Sequence, residues 1–277
     1  MIRTPVILVQ FAARLHIIVV LTIPLASQDA AAEQAPRFPH RVDCEGTYPG
    51  HLQGICLDEQ GNIYWSFTTW LVKTDPQGKL IHKVPVANHH GDLCYDEGKV
   101  YVAVNLGKFN DPQGNADSWV YVYKTANLKE TARHEVQQVK FGAGGVAVHD
   151  NRFLVVGGLP GDREENDIHE FDQDFNYVKQ HSLDSGQTYL GIQGATYSED
   201  AWWFACYGQQ LLTAKTDLEM LGRYTFECGL GIVGLGESQF YIARGKCQKE
   251  IGCTGHLLLA VPDEENGLRV LAPQTGQ

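Results

Sequence analysis

The chain is poor in positive charge. Its 22 Lys and Arg stand against 33 Asp and Glu, and no basic cluster interrupts that balance. A nucleic-acid partner, which needs a basic face, is excluded. A phosphate-cradling glycine loop is also missing. Gly142-Ala-Gly-Gly145 leads into a β-rich run, where a nucleotide-binding loop would open a helix. There is no local metal signature of the His-Glu-x-x-His kind. No segment beyond the first 25 residues is apolar enough to cross a membrane. No helix of ordinary length is indicated. The 277 residues are nonetheless 43% apolar, 10% aromatic and 20% charged, a globular balance that excludes wholesale disorder, collagen and coiled coil.

The N-terminus stands apart from the rest. Arg3 and Arg14 precede the apolar run Leu15–Leu25, which is followed by the small residues Ala26, Ser27 and Ala30–Ala32. A bilayer span needs about 20 apolar residues, so this shorter run reads as a signal peptide cleaved between Ser27 and Ala32. The expected division is a leader over residues 1–32 and one domain over 33–277. The expected location is secreted or periplasmic. Without the leader the chain loses two basic residues and one acidic residue, and its net charge becomes −12.

Export permits disulfides. The seven cysteines are Cys44, Cys56, Cys94, Cys206, Cys228, Cys247 and Cys253. Cys247 and Cys253 bracket a short glycine-containing loop and are expected to pair. Cys56 and Cys94 hold matching places in successive repeats, where pairing and simple burial are both open. For Cys206 and Cys228 a disulfide is favoured over a reactive thiolate.

Glycine is abundant, with 29 residues, and it marks a repeat. Gly54, Gly91, Gly145, Gly194 and Gly234 fall in one column, at intervals of 37, 54, 49 and 40 residues. Each is followed by a β-rich run: Asn62–Phe67, Val100–Val104, Phe153–Val156, Ala201–Cys206 and Phe240–Arg244. Two further short strands about a polar turn complete each unit. Four strands per unit of 40–50 residues is the pattern of a propeller blade. The expected fold is therefore all-β, a five-bladed β-propeller of four-stranded antiparallel blades closed by an N-terminal strand near residues 40–47. Leu268-Arg-Val-Leu competes for that closing role.

The blade pattern over residues 40–272 resembles the broad group of secreted bacterial propellers that includes the NHL-type and SMP-30/gluconolactonase-like proteins. The lactonase-like members hold a divalent metal with a Glu/Asn/Asp set. That set is not placed on this sequence, so the resemblance implies the fold and not the activity.

Propeller topology gathers the loop entering each blade, and the loop between its second and third strands, on one face. The entering loops carry His51, Gln53, Asn88, His89, His90, Asp92, Gln193 and Cys228. Three of the other loops are long: Asn105–Ser118, Gly157–Asp167 and Ala243–Gly255. Long loops on a rigid scaffold carry function. His51, His89 or His90 and Gln193 are the candidate ligands of a divalent metal, since imidazole and amide donors suit such ions. Neighbouring strand residues face opposite ways, so only one of His89 and His90 can point at the axis. Gln53, Asp92, Asn105, Tyr207 and Arg244 are candidate ligand-binding residues. Arg244, with Lys246 and Lys249, would grip an anion. Carboxylate pairs for glycoside hydrolysis would come from Asp92, Asp111, Asp117, Glu164, Glu165 and Asp167, with Trp70, Trp119, Trp202, Trp203 and Tyr207 to stack on sugar rings.

Two function classes follow. One is a metal-assisted hydrolase or lyase acting on a small anionic or saccharide-like substrate. The other is a non-catalytic propeller that binds a ligand or a protein on the same face. The expected mature form is a monomer without a membrane segment.

Overall fold

Five glycine-marked strands stand side by side around one axis, and every other element radiates from them. The structure is a computed structural model describing residues 38–272, so the leader read over residues 1–32 lies outside the described residues. Blade 1 is β2 (Leu52–Leu57), β3 (Ile63–Phe67), β4 (Trp70–Thr74) and β5 (Leu80–Pro85). Blade 2 is β6 (His90–Asp96), β7 (Lys99–Asn105), β8 (Ser118–Lys124) and β9 (Glu130–Glu135). Blade 3 is β10 (Ala143–His149), β11 (Arg152–Gly157), β12 (Asn166–Phe171) and β13 (Tyr177–Leu183). Blade 4 is β14 (Tyr189–Ser198), β15 (Ala201–Tyr207), β16 (Gln210–Ala214) and β17 (Met220–Thr225). Blade 5 is β18 (Ile232–Gly236), β19 (Gln239–Gln248) and β20 (Gly252–Asp263), completed by β1 (Arg41–Asp43) and β21 (Gly267–Val270). Within every blade neighbouring strands are antiparallel, and the described residues contain no helix. The fold is a five-bladed β-propeller.

Both candidate closing strands close the ring. β1 pairs with residues 256–258 of β20, and β21 pairs with residues 260–263 of the same strand. They lie end to end along one edge, because β20 is 12 residues long and can take both. A backbone bridge between Tyr48 and Cys253 extends the N-terminal contact.

The apolar cores lie between blades. Side chains alternate across a strand, so adjacent residues feed opposite interfaces. Tyr64 packs toward blade 2 and Trp65 toward blade 5. Trp202 joins the interface with blade 3, and Trp203 that with blade 5. Phe153, Val155 and Phe171 fill the gap between blades 2 and 3. This use of the aromatics leaves Trp202 and Trp203 buried between blades, away from any sugar.

One expected loop is a hairpin. Residues 243–255 continue the β19–β20 ladder as far as Gln248 opposite Gly252, so the turn itself is short. Cys247 and Cys253 face each other across this ladder and are disulfide-bonded. The other five cysteines are buried free thiols, and Cys206 and Cys228, for which the sequence sets a disulfide above a reactive thiolate, are not bonded to each other. They serve as small apolar side chains, and burial raises the Cys228 thiol to about 12.

Candidate functional site

The ladder of each innermost strand is irregular at the glycine column. Pairing shifts between Leu52 and Gly54, His90 and Leu93, Ala143 and Gly145, Ile192 and Gly194, and Gly234 and Gly236. A bulge re-aims the extra residue. Here it turns Gln53, Asp92 and Gln193 out of the blade interfaces and toward the axis.

Asp92 sits on that axis and is fully buried. Its Oδ1 accepts the backbone N–H of Ile55 and its Oδ2 that of Ala195, each at 3.2 Å, so one side chain ties blades 1, 2 and 4 together. Gly54 and Gly194 make room for it, since a Cβ at either would overlap its carboxyl group. Burial pushes its pKa well above the ordinary carboxylate range. Hydrogen bonds from Leu93, Ala195 and Ile55 pull the other way and do not cancel the shift.

On one side of Asp92 a narrow shaft of about 110 Å³ follows the axis, lined by Ile55, Cys56, Cys94, Ala147, Thr196 and Val233 among others. On the other side the ring opens into a cavity of about 530 Å³. Such a volume is typical of a small-molecule site.

Four polar side chains from three blades meet on the cavity floor. The Gln53 amide donates from Nε2 to His51 Nε2 at 2.9 Å and to His89 Nε2 at 2.6 Å. Tyr207 donates its hydroxyl to Gln53 Oε1 at 3.1 Å and lies 3.4 Å from His51 Nε2. Both imidazoles therefore carry their proton on Nδ1. Burial lowers the pKa of His51. Burial, reinforced by His51, lowers that of His89. Burial also raises Tyr207 to about 12, with Glu227 adding to the shift. The floor is thus uncharged at neutral pH.

The remaining candidates are dispersed. His90 points into the wall of blade 2. Its Nδ1 lies 2.7 Å from the Ala87 carbonyl and its Nε2 2.7 Å from the Tyr123 hydroxyl, and burial lowers it to about 4. Gln193 lines the cavity, but its amide donates to the carbonyl of Leu190 at 2.7 Å. Asn105 organises the long loop of blade 2, accepting from the backbone N–H of Asp117 at 3.0 Å and of Gly107 at 3.3 Å. Arg244 is half-buried at the base of the extended hairpin, donates to the Ala243 carbonyl at 3.2 Å, and does not line the cavity. Neither do Asp111, Asp117, Glu164, Glu165 or Asp167.

Among the lining residues that escape a reading of the repeats alone are Phe109, Tyr189 and Glu227. Phe109 lies in a long loop whose direction no sequence pattern gives. Glu227 was within reach, because it directly precedes Cys228 in the loop entering blade 5.

The residues fit a metal centre only in part. Two imidazole nitrogens converge, but they converge on an amide N–H₂, and the third donor expected, Gln193, is turned away. Among the described residues no group of three His, Cys, Asp or Glu side chains could hold a metal ion.

No protein-family model and no curated protein matches the chain. Among solved structures the chain is similar to the glutaminyl cyclase of Myxococcus xanthus, at 12% identity and a TM-score of 0.54, over 81% of this chain and 100% of that one. It is similar also to a gluconolactonase from Xanthomonas campestris, at 15% identity and a TM-score of 0.47, over 75% of this chain and 72% of that one. At these identities the likeness is one of propeller fold.

Proposed function

We propose that the protein is an exported propeller that binds a small polar molecule in the cavity above Asp92. The hydrogen-bonding end of the ligand rests on the floor made by Gln53, His51, His89 and Tyr207. The observation that carries this reading is the convergence of those four side chains from blades 1, 2 and 4, which bond to one another at the bottom of a cavity of about 530 Å³. Side chains that already share hydrogen bonds are pre-organised and can exchange them for a ligand's at little ordering cost. Export is supported by the Cys247–Cys253 disulfide together with the apolar leader.

The test is a thermal-shift panel of monosaccharides, aldonolactones, amides and amino alcohols. A ligand that stabilises the wild type and has no effect on Gln53→Leu supports the reading. A panel in which every stabilising compound acts equally on both proteins contradicts it.

The convergence of two Nε2 atoms on one point favours a second reading, metal-assisted hydrolysis. There His51 and His89 would be two ligands, and the ion would supply Lewis acidity to a substrate carbonyl or a bound water. Elemental analysis of untagged protein decides this. About one equivalent of a transition metal, absent from His51→Ala/His89→Ala, supports it. A protein that takes up none after incubation with zinc, manganese or calcium contradicts it.

A further inference from the structure

The charge of the cavity narrows the ligand class, and this step rests on the ligand-binding reading above. Among the described residues Glu227 is the one acidic side chain lining the cavity, and no Lys or Arg lines it. Its carboxylate is half-buried and takes part in no hydrogen bond or ion pair among the described residues. Arg244 is close enough to feel it. Its guanidinium, however, donates to a backbone carbonyl and stands 5.9 Å from the centre of the Phe226 ring, with no carboxylate oxygen within 4 Å. The two floor imidazoles turn their Nε2 atoms to the Gln53 amide, as acceptors.

Beyond Glu227, the polar floor and Gln193 the lining is aromatic or apolar, with the rings of Phe109, Tyr189 and Tyr207 beside Ala143, Leu190 and glycines. Tyr189 is 60% exposed, so its ring is open to a ligand entering from solvent. Aromatic rings and a carboxylate free of ion pairs, lining one cavity in a protein of strong net negative charge, suit a weakly hydrated cation. An anion would meet Glu227 with no counter-charge on the lining. This reverses the expectation that Arg244 would select an anionic ligand.

We propose that the cavity binds an organic cation, a small alkylammonium compound, with its charge held by Glu227 and the aromatic lining of Phe109, Tyr189 and Tyr207 and its polar end on the Gln53 floor.

Calorimetric titration tests this with choline and with its uncharged isostere 3,3-dimethyl-1-butanol. Wild type should bind choline about tenfold or more tightly than the alcohol, as expected for a partly desolvated cation–π and carboxylate contact. Glu227→Gln should weaken choline about tenfold and leave the alcohol unchanged. Phe109→Leu should weaken choline as well, with the melting temperature of both variants checking that the fold is kept. Equal affinity for the two probes, or choline binding indifferent to Glu227→Gln, overturns the proposal. If choline does not bind while an uncharged member of the saccharide and lactone panel does, the ammonium assignment falls and the cavity reading stands. If no compound binds, both fall.

Discussion

Replacing Asp92 by Asn tests how the axis is held. Asn keeps the size of the side chain but offers one acceptor oxygen where Asp offers two, so the N–H of either Ile55 or Ala195 is left facing an amide N–H₂. A buried donor without a partner costs about 1–3 kcal/mol. Against this stands the charge. The folded-state pKa of Asp92 is raised above its unfolded value, so the native protein binds this proton more tightly than the unfolded chain. The resulting stability is fully present below the usual carboxylate range and is lost as pH rises toward the folded pKa, at up to about 1.4 kcal/mol per pH unit. The two terms cross. Wild type should be the more stable protein near pH 4, and its advantage over Asp92→Asn should shrink or reverse by about pH 8. Urea denaturation of both proteins at several pH values gives the difference directly, and all other titrating groups cancel in it. A difference that stays constant with pH, or grows in favour of wild type, would refute the reasoning. It would mean that the three backbone N–H groups outweigh burial.

Other predictions follow from the same structure. His90 is buried and lowered to about 4, so it is neutral in the native state and charged in the unfolded chain below about 6.5. It should remove roughly 3 kcal/mol of stability as pH falls across that window, and His90→Gln should flatten the loss in acid denaturation. Replacing Cys247 and Cys253 by Ser should cost about 2 kcal/mol by the chain-entropy argument for a short closed loop, read as a lower urea midpoint. Adding a reductant should lower the midpoint of wild type and leave that of the double variant unchanged. Gly54→Ala should fail to fold or lose several kcal/mol, because the new methyl group meets both the backbone and the carboxyl group of Asp92. Expression with the full leader should yield a protein whose N-terminus, by mass spectrometry, lies between Ser27 and Glu33.

The blades were legible because each repeats the same physical unit. A glycine where the chain crowds the axis, an alternating β-rich run and a polar turn recur five times, and each instance corroborates the others. The choice of the axial face was legible for the same reason, since topology alone brings entering loops and long loops together. The aim of individual side chains was not. His89 and His90 look equivalent in sequence, but the bulge at Gly91 and Asp92 decides that one meets Gln53 and the other turns to Tyr123. Asp92 reads as a surface ligand because acidic residues are seldom buried, and only the close packing around Gly54 and Gly194 shows it as the pin of the ring. The segment 243–255 reads as a loop because glycine and charge dominate it. It is a ladder whose last rungs carry the cross-strand Cys247–Cys253 disulfide.

The central claim is that a ligand rests on the Gln53 floor. Histidine ring resonances test it most directly, because each of the 11 histidines reports its own surroundings. In protein labelled at the imidazole ring and titrated with any compound that raises its melting temperature, the signals of His51 and His89 should shift together and saturate at one equivalent. Those of His90 and His169, buried in blade walls, should stay in place. Binding that leaves both His51 and His89 unmoved would place the ligand elsewhere on the propeller and contradict the account.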